Sequence, residues 1–365
     1  MHQSRFSPRL EALRGVAALM VALFHSFAAI KLTTPESESI GHAVQVLGNG
    51  SAGVAIFFVL SGYVLGLSME NSARHPLKDW LPFVLRRILR IYPAMTGCLL
   101  FCWLYLAHVH HYIDYPAARV AIWNAGASGG EFLRNLLLAS NSLNTVTWTL
   151  QVEMLGSLVI PLLFFIKSKT RAGAGALLMV WLGCFAFTDV FAGGHWGFLY
   201  MFLLGLFVPD LDAFIARHVR VRWGRPLIAA VAFAGCCLAS FTWISLWAVV
   251  LVAALAGAPR DLPMPILDWS ATRYLGRISY SFYLWHLPVL IIVTSFVMGS
   301  VDNAWLLAWP ITSMALLFVM SVAAAVAVAH VSHRWLEVPF KGGGGALQAM
   351  MSVVGRARKQ PALNQ

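Results

Sequence analysis

Charge is what this 365-residue sequence has least of: 11% of its residues are charged, against about 25% in an ordinary soluble domain. A chain that is 59% hydrophobic, with a mean hydropathy of +0.73, cannot solvate its own exterior. Most of that exterior must therefore face lipid. Acidic residues are the scarcer sign, 15 against 26 lysines and arginines. In a soluble protein the resulting +11 would suggest nucleic acid; here the basic residues fall where a cytoplasmic membrane face would want them, and no nucleic-acid partner is expected. Cysteine is sparse too. Cys98, Cys102, Cys184, Cys236 and Cys237 lie in apolar stretches, and no nearby histidine or second cysteine pair completes a zinc set around Cys98 and Cys102. They read as small packing residues, and no metal is expected. Neither end offers sequence for a second folded domain, so the expected organisation is one transmembrane domain over 1–340. A flexible, basic cytoplasmic tail over 341–365 would follow, opening on Gly342–Gly345.

Apolar runs of spanning length fall at 12–30, 52–68, 94–109, 145–166, 172–188, 195–208, 226–257, 278–298 and 305–332. The run at 226–257 is too long for one ordinary span, and Ser240, Thr242 and Ser245 lie near its middle, so it reads as a tight helical hairpin. The expected fold is an all-α polytopic membrane protein with about ten transmembrane helices and both termini cytoplasmic. The basic residues agree: with that topology 23 of the 26 fall inside, leaving out only Lys31, Arg119 and Arg134. A signal peptide ending near Ser26-Phe27-Ala28 is the other reading of the N-terminus; Glu11, Arg14 and His25 would be odd in a disposable segment. The longest outer segment, 110–132, begins near His108, His110, His111, Asp114 and Tyr115, and reads as a solvated loop rather than a metal site.

Ionisable groups inside a span are costly, and mark functional candidates. Arg14 and His25 lie 11 residues apart in the first run, which puts them on one helix face about 16 Å apart along the axis. Glu11, one turn before Arg14, is placed to pair with it. Arg14 either snorkels to the interface or serves a site. His25 is either a satisfied core histidine or a general base, since neutral imidazole takes a hydroxyl proton near neutral pH. In Thr147-Trp148-Thr149-Leu150-Gln151-Val152-Glu153, Thr149 and Glu153 share a face at the outer end of the fourth helix. That is the membrane level of His25, so Glu153 either packs the helix or orients the imidazole as the third member of a triad does. The cluster Arg86-Arg87-Ile88-Leu89-Arg90-Ile91-Tyr92-Pro93 is expected on the cytoplasmic side before the third helix. It either anchors the topology or binds phosphate through bidentate guanidiniums.

Leu13-Arg14-Gly15-Val16-Ala17-Ala18, with His25 closing an R-x10-H spacing, resembles the first helix of the acyltransferase-3 family of membrane acyltransferases. The segments Gly53 to Tyr63, Arg86 to Pro93, Thr147 to Glu153 and Gly276 to Pro288 match in the family's order, as does the ending Glu337-Val338-Pro339-Phe340. Glu11 stands where an aspartate is usual, and Leu287 where an aromatic is common. The resemblance implies a ten-helix O-acyltransferase of the bacterial cytoplasmic (inner) membrane. It would draw an acyl group, acetyl by family preference, from acyl-CoA and place it on a hydroxyl of a surface saccharide or glycolipid.

On that reading Arg14 and His25 are the functional pair, with Glu153 orienting His25. Arg86, Arg87, Arg90 and Tyr92 hold coenzyme A, Arg87 and Arg90 being the family's R-x-x-R. Glu11, Tyr63, Trp148, Thr149 and His286 form the substrate-facing or supporting wall. Some relatives carry an added esterase-like domain; this chain ends too early for one, so the acceptor is expected to meet the membrane domain directly. The rival reading is a transporter or flippase using intramembrane His, Arg and Glu. Against it, no inverted repeat is visible, and few helices are broken at matched Gly or Pro positions. A scaffold in an export assembly is a second rival.

Overall fold

The computed structural model describes residues 7–28, 35–71, 80–109, 126–186, 198–300 and 308–340. The expected tail at 341–365, His110, His111, Asp114 and Tyr115 lie outside the described residues. Among those described, no strand occurs. The helices are α1 (Pro8–Ala28), α2 (Pro35–Leu47), α3 (Gly50–Asn71), α4 (Trp80–His108), α5 (Gly129–Leu136), α6 (Trp148–Lys169) and α7 (Arg171–Ala186). They continue as α8 (Leu199–Leu206), α9 (Val208–His218), α10 (Gly224–Leu238), α11 (Phe241–Ala256), α12 (Ser270–Arg277), α13 (Ser279–Ser300) and α14 (Pro310–Ser332). Among the described residues, five helical stretches are long and apolar enough to cross a membrane: Gly41–Glu70 (the end of α2 with α3), Trp80–His108, Thr145–Lys169, Ser279–Val297 and Ile311–Phe340. The α8–α9 pair, bent by 46°, makes a sixth if it is one span. The chain is thus an all-helical integral membrane protein.

Two sequence expectations change here. The run at 94–109 is only the second half of α4, which starts at Trp80, so Arg86 to Pro93 lie within its first half rather than ahead of it. Hydropathy missed them because Arg87 is 8% exposed and satisfied by protein partners. The fourth expected span begins where it was expected, but its start is buried in the protein. Leu143, Asn144 and Thr147, just ahead of α6, are all 0% exposed, so α6 starts inside the protein and not at its outer surface. The hairpin at 226–257 is as expected, α10 and α11 meeting at Ala239–Ser240.

Helix association inside lipid rests on close packing of small residues and on hydrogen bonds. The glycines of the matching segments lie in such seams. A Cβ on Gly15 would stand 2.6 Å from the Thr272 carbonyl of α12, and one on Gly53 would stand 2.7 Å from the Ala17 carbonyl of α1. Gly62 and Gly205 face each other's helices, α3 and α8, with backbones in contact. Gly205→Val should therefore drive its side chain into the Val59 carbonyl. Overpacking of this kind typically costs about 1–3 kcal/mol, and the expected result is a clear loss of monodisperse protein and a lower melting temperature in detergent. Unchanged stability would mean the seam is loose.

Arg9 fastens the start of α1. Its guanidinium forms a fork with Asp268 (2.8 and 2.9 Å) and donates to the carbonyls of Pro259 (2.7 Å) and Leu262. The same contact holds the Asp268 carboxyl below its usual range.

Between α4 and α6, the short helix α5 is capped by Ser128, whose Oγ accepts from the Glu131 N–H (3.1 Å). The Glu131 carboxylate accepts from Ser142, from Ser140 (2.7 Å) and from Asn135 (3.0 Å), and pairs with Arg134. Those hydroxyl donors, with Arg134, pull its pKa down to about 2. A carboxyl depressed in the folded state stabilises above its unfolded value, and that contribution disappears as pH falls toward 2. Hydrogen exchange of 128–144 should stay slow at pH 5 and accelerate below pH 4. Exchange independent of pH, after correction for the intrinsic rate, would refute this.

Candidate active site

A cavity of about 590 Å³ opens between α1, α3, α4, α6 and α13. Its polar lining is Arg14, Ser61, Arg90, Thr149, Glu153 and Ser279; Phe57, Phe58, Tyr280 and Tyr283 supply aromatic walls. A second lobe of about 330 Å³ shares Arg14, Phe57, Ser61, Arg90 and Glu153, and adds Arg87. Three guanidiniums thus surround one carboxylate.

The partners of these charges differ. Arg87 donates to Glu153 and, through Nε, to Ser157 Oγ at 3.2 Å. Ser157 in turn donates to the Glu153 carbonyl (2.8 Å). This pair is internally satisfied, as a charge pair inside a membrane protein must be. Arg14 and Arg90 form no hydrogen bond or ion pair with any described residue, although both face the cavity. The Ser279 hydroxyl, 1% exposed and also in the lining, has no partner either. The cavity therefore presents two unspent cations and an unspent hydroxyl.

His25 is not part of that lining. Its Nδ1 lies 3.1 Å from Nε2 of His286, and His286 Nδ1 lies 2.6 Å from the Tyr283 carbonyl. The aromatic pair Phe57–Tyr283, edge to face with centroids 5.6 Å apart, lies in the cavity lining, and the Tyr283 ring also meets that of His286 at 5.5 Å.

The helix carrying His286 is held open and refilled at one point. Pro288 has no N–H for the Leu284 carbonyl, and Asn144 (2.9 Å) and the Cys98 thiol (3.4 Å) donate to it instead. This explains why the segment before α6 is buried. At the start of the same helix, Ser281 donates to Glu337 through its backbone N–H (3.1 Å) and its hydroxyl (2.5 Å). Glu337, at the start of the Glu337-Val338-Pro339-Phe340 segment, thereby anchors α13.

The structure sorts the sequence candidates into several places. It brings Arg14, Arg90, Thr149 and Glu153 to one cavity, and His25 and His286 to one another. It does not bring Glu153 to His25: the carboxylate is bonded to Arg87 and lines the cavity with Arg14. Glu11 makes no ion pair with Arg14 among the described residues. Arg86 is exposed, and Tyr92 is half-buried outside the lining. Tyr63 packs in the α3–α8 seam, and Trp148 meets Phe58 edge-on and Phe198 at a tilt. Sequence reasoning named neither Phe57, Ser61, Ser279 nor Tyr280 as cavity residues, and gave Tyr283 no role. All five lie in the segments matched to the family, but only three dimensions separate those that face the cavity from those that pack. No group of three His, Cys, Asp or Glu able to hold a metal ion occurs among the described residues.

An all-helical membrane bundle with a cationic cavity beside a histidine pair is the class defined so far. The acyltransferase domain family Acyl_transf_3 matches residues 7–330, nearly the whole chain, and the protein belongs to that family: it is an integral membrane acyltransferase. The chain is 25% identical to Nodulation protein 10 of Rhizobium leguminosarum bv. viciae, over 93% of this chain and 94% of that protein. It is 27% identical to BcsY of Komagataeibacter xylinus, over 81% and 76%. It is also 23% identical to the peptidoglycan O-acetyltransferase OatA of Listeria monocytogenes, over 94% of this chain but only 57% of OatA. No solved structure matches the chain significantly.

Proposed function

We propose that the protein transfers an acyl group, acetyl in the first instance, from cytoplasmic acyl-CoA to a hydroxyl of a surface saccharide or glycolipid. Ten spans with both termini cytoplasmic, in a bacterial inner membrane, complete the reading. The observation that carries it is the pair of unpaired guanidiniums, Arg14 and Arg90, facing one cavity next to a histidine pair. Neither guanidinium has a hydrogen-bond or ion-pair partner among the described residues, although Glu153 lines the same cavity; cations so placed in a membrane interior are functional candidates, and they suit the phosphate groups of coenzyme A. The names of relatives such as OatA support a glycan hydroxyl as acceptor.

The chemistry follows from the proposed positions. The donor's anionic end rests at Arg14 and Arg90, with the Ser279 hydroxyl available to one of its polar atoms. Its thioester passes the Phe57–Tyr283 contact, which must part to admit it, and reaches His25. Nε2 of His25 takes the acceptor's hydroxyl proton as the oxygen forms its bond to the acyl carbon. The C–S bond then breaks, and the coenzyme A thiolate leaves with that proton as a thiol.

Equilibrium binding of labelled acetyl-CoA to detergent-purified protein tests the donor site. Losing a charge-assisted hydrogen bond of roughly 1.5–3 kcal/mol should weaken binding about 10- to 100-fold in Arg14→Ala and in Arg90→Ala. Arg86→Ala should bind as wild type does. Full affinity in both cavity variants would remove the donor from this cavity.

A further inference from the structure

The family reading leaves open what holds the base in its working tautomer, since Glu153 is spent on Arg87. We infer that His286 is the positioning residue for His25, fixing the proton on Nδ1 and leaving Nε2 bare toward the acceptor; this rests on His25 being the base.

The inference follows the hydrogen bonds outward from a group with one possible role. A carbonyl oxygen only accepts, so the 2.6 Å contact to the Tyr283 carbonyl requires the proton on His286 Nδ1. Neutral His286 then has a lone pair on Nε2. The nitrogen 3.1 Å from that lone pair is His25 Nδ1, which donates in this arrangement; the Val21 carbonyl, one turn earlier on α1, is a second acceptor beside the same ring. One proton per neutral ring leaves His25 Nε2 as the acceptor. A second proton on His286 would reverse the chain. It would also place a cation on a ring that is 3% exposed and has no carboxylate hydrogen-bonded to it.

The arrangement also has the right response to catalysis. When His25 takes the acceptor's proton, its Nδ1–H bond to His286 becomes charge-assisted, and such bonds are roughly twice as strong as neutral ones. His286 is held for this task by Phe282 and Tyr283, whose rings flank it at 6.1 and 5.5 Å. The Asn144 and Cys98 contacts steady the open turn on which it stands. A neutral imidazole thus occupies the place a carboxylate takes in a triad, which avoids a buried anion.

Two variants separate positioning from packing. Glutamine can set its amide oxygen near the place of Nε2 and still accept from His25; leucine fills the space and accepts nothing. We expect His286→Leu to lower kcat about 100-fold, within the range for general-base catalysis, with the donor KM unchanged. His286→Gln should stay within about tenfold of wild type. Equal losses in the two variants, or a fall in KM performance and abundance together, would make His286 a packing residue only. Wild-type kcat in His286→Leu would overturn the inference while leaving His25 as the base. An active His25→Ala would instead sink the reading on which it rests. A second readout needs no turnover. In 15N spectra of histidine-labelled protein, with His25 assigned by its loss in His25→Ala, wild type should show protonated Nδ1 and bare Nε2. The opposite tautomer in wild type would refute the proposal.

Discussion

His25→Ala is expected to lower the rate of acyl transfer by about 10²- to 10⁴-fold, the contribution general-base catalysis typically makes, while donor binding stays intact. The expectation comes from the separation of the two sites. The cavity that holds the unpaired arginines is lined by Arg14, 11 positions before His25 on α1, and His25 itself is not in the lining. That spacing sets the two about 16 Å apart along the helix. Removing the imidazole therefore takes away a proton acceptor without touching the donor's anionic end. In kinetic terms kcat and kcat/KM fall together, the mark of an interaction made in the transition state. Transfer assays paired with equilibrium binding of labelled acetyl-CoA measure both halves. A variant that loses donor affinity as severely as turnover would assign His25 to binding, and a fully active one would move the chemistry elsewhere.

The second large effect concerns Arg87, where the R-x-x-R resemblance and the geometry point to different roles. Its guanidinium is spent on Glu153 and Ser157. Removing one partner of a fully buried ion pair costs roughly 3–5 kcal/mol; Glu153 is partly exposed to the cavity and keeps Arg14 and Arg90 beside it, so the cost here falls below that range. Arg87→Ala should therefore depress folded protein in the membrane as well as activity. Replacing both partners with apolar residues of similar volume is often neutral or better. The double variant Arg87→Met with Glu153→Leu should accordingly recover folded protein, and keep acetyl-CoA affinity within a few fold of wild type. If the double variant is folded but has lost the donor, Arg87 is a phosphate ligand after all. If abundance is normal in Arg87→Ala alone, the ion pair is dispensable.

Much of this was legible in the sequence, and what was not has a physical reason. His25 stood out because an ionisable ring deep in an apolar run needs a partner. The α10–α11 break was readable from Ser240, because a polar residue midway through an overlong apolar run marks a place where the chain can turn. Arg86 to Arg90 misled, because arginine density resembles a cytoplasmic loop whether the side chains face water or one another; only contacts reveal that Arg87 is sealed and Arg90 is open. Glu153 misled for a different reason. Hydropathy measures how long a span is and not which neighbour a side chain on it meets, and the segment before α6 is fixed by Asn144, which reaches the carbonyl freed by Pro288. Spacing therefore set Glu153 beside His25, while packing set it beside Arg87. In the sequence Gly15, Gly53 and Gly62 are only part of a resemblance, and their reason is steric: with Gly205, which lies outside the matching segments, they stand where another helix's backbone occupies the space of a side chain.

The most direct measurement is transfer of label from radiolabelled acetyl-CoA to the glycan fraction by membranes containing wild type, His25→Ala or Arg90→Ala at matched abundance, over a range of donor concentrations. Wild type should label the fraction at low donor. Arg90→Ala should reach a similar maximum only at about 10- to 100-fold more donor, the equivalent of one lost charge-assisted contact. His25→Ala should remain at background at every concentration. Three indistinguishable curves would contradict a donor cavity at Arg90 and a base at His25 together.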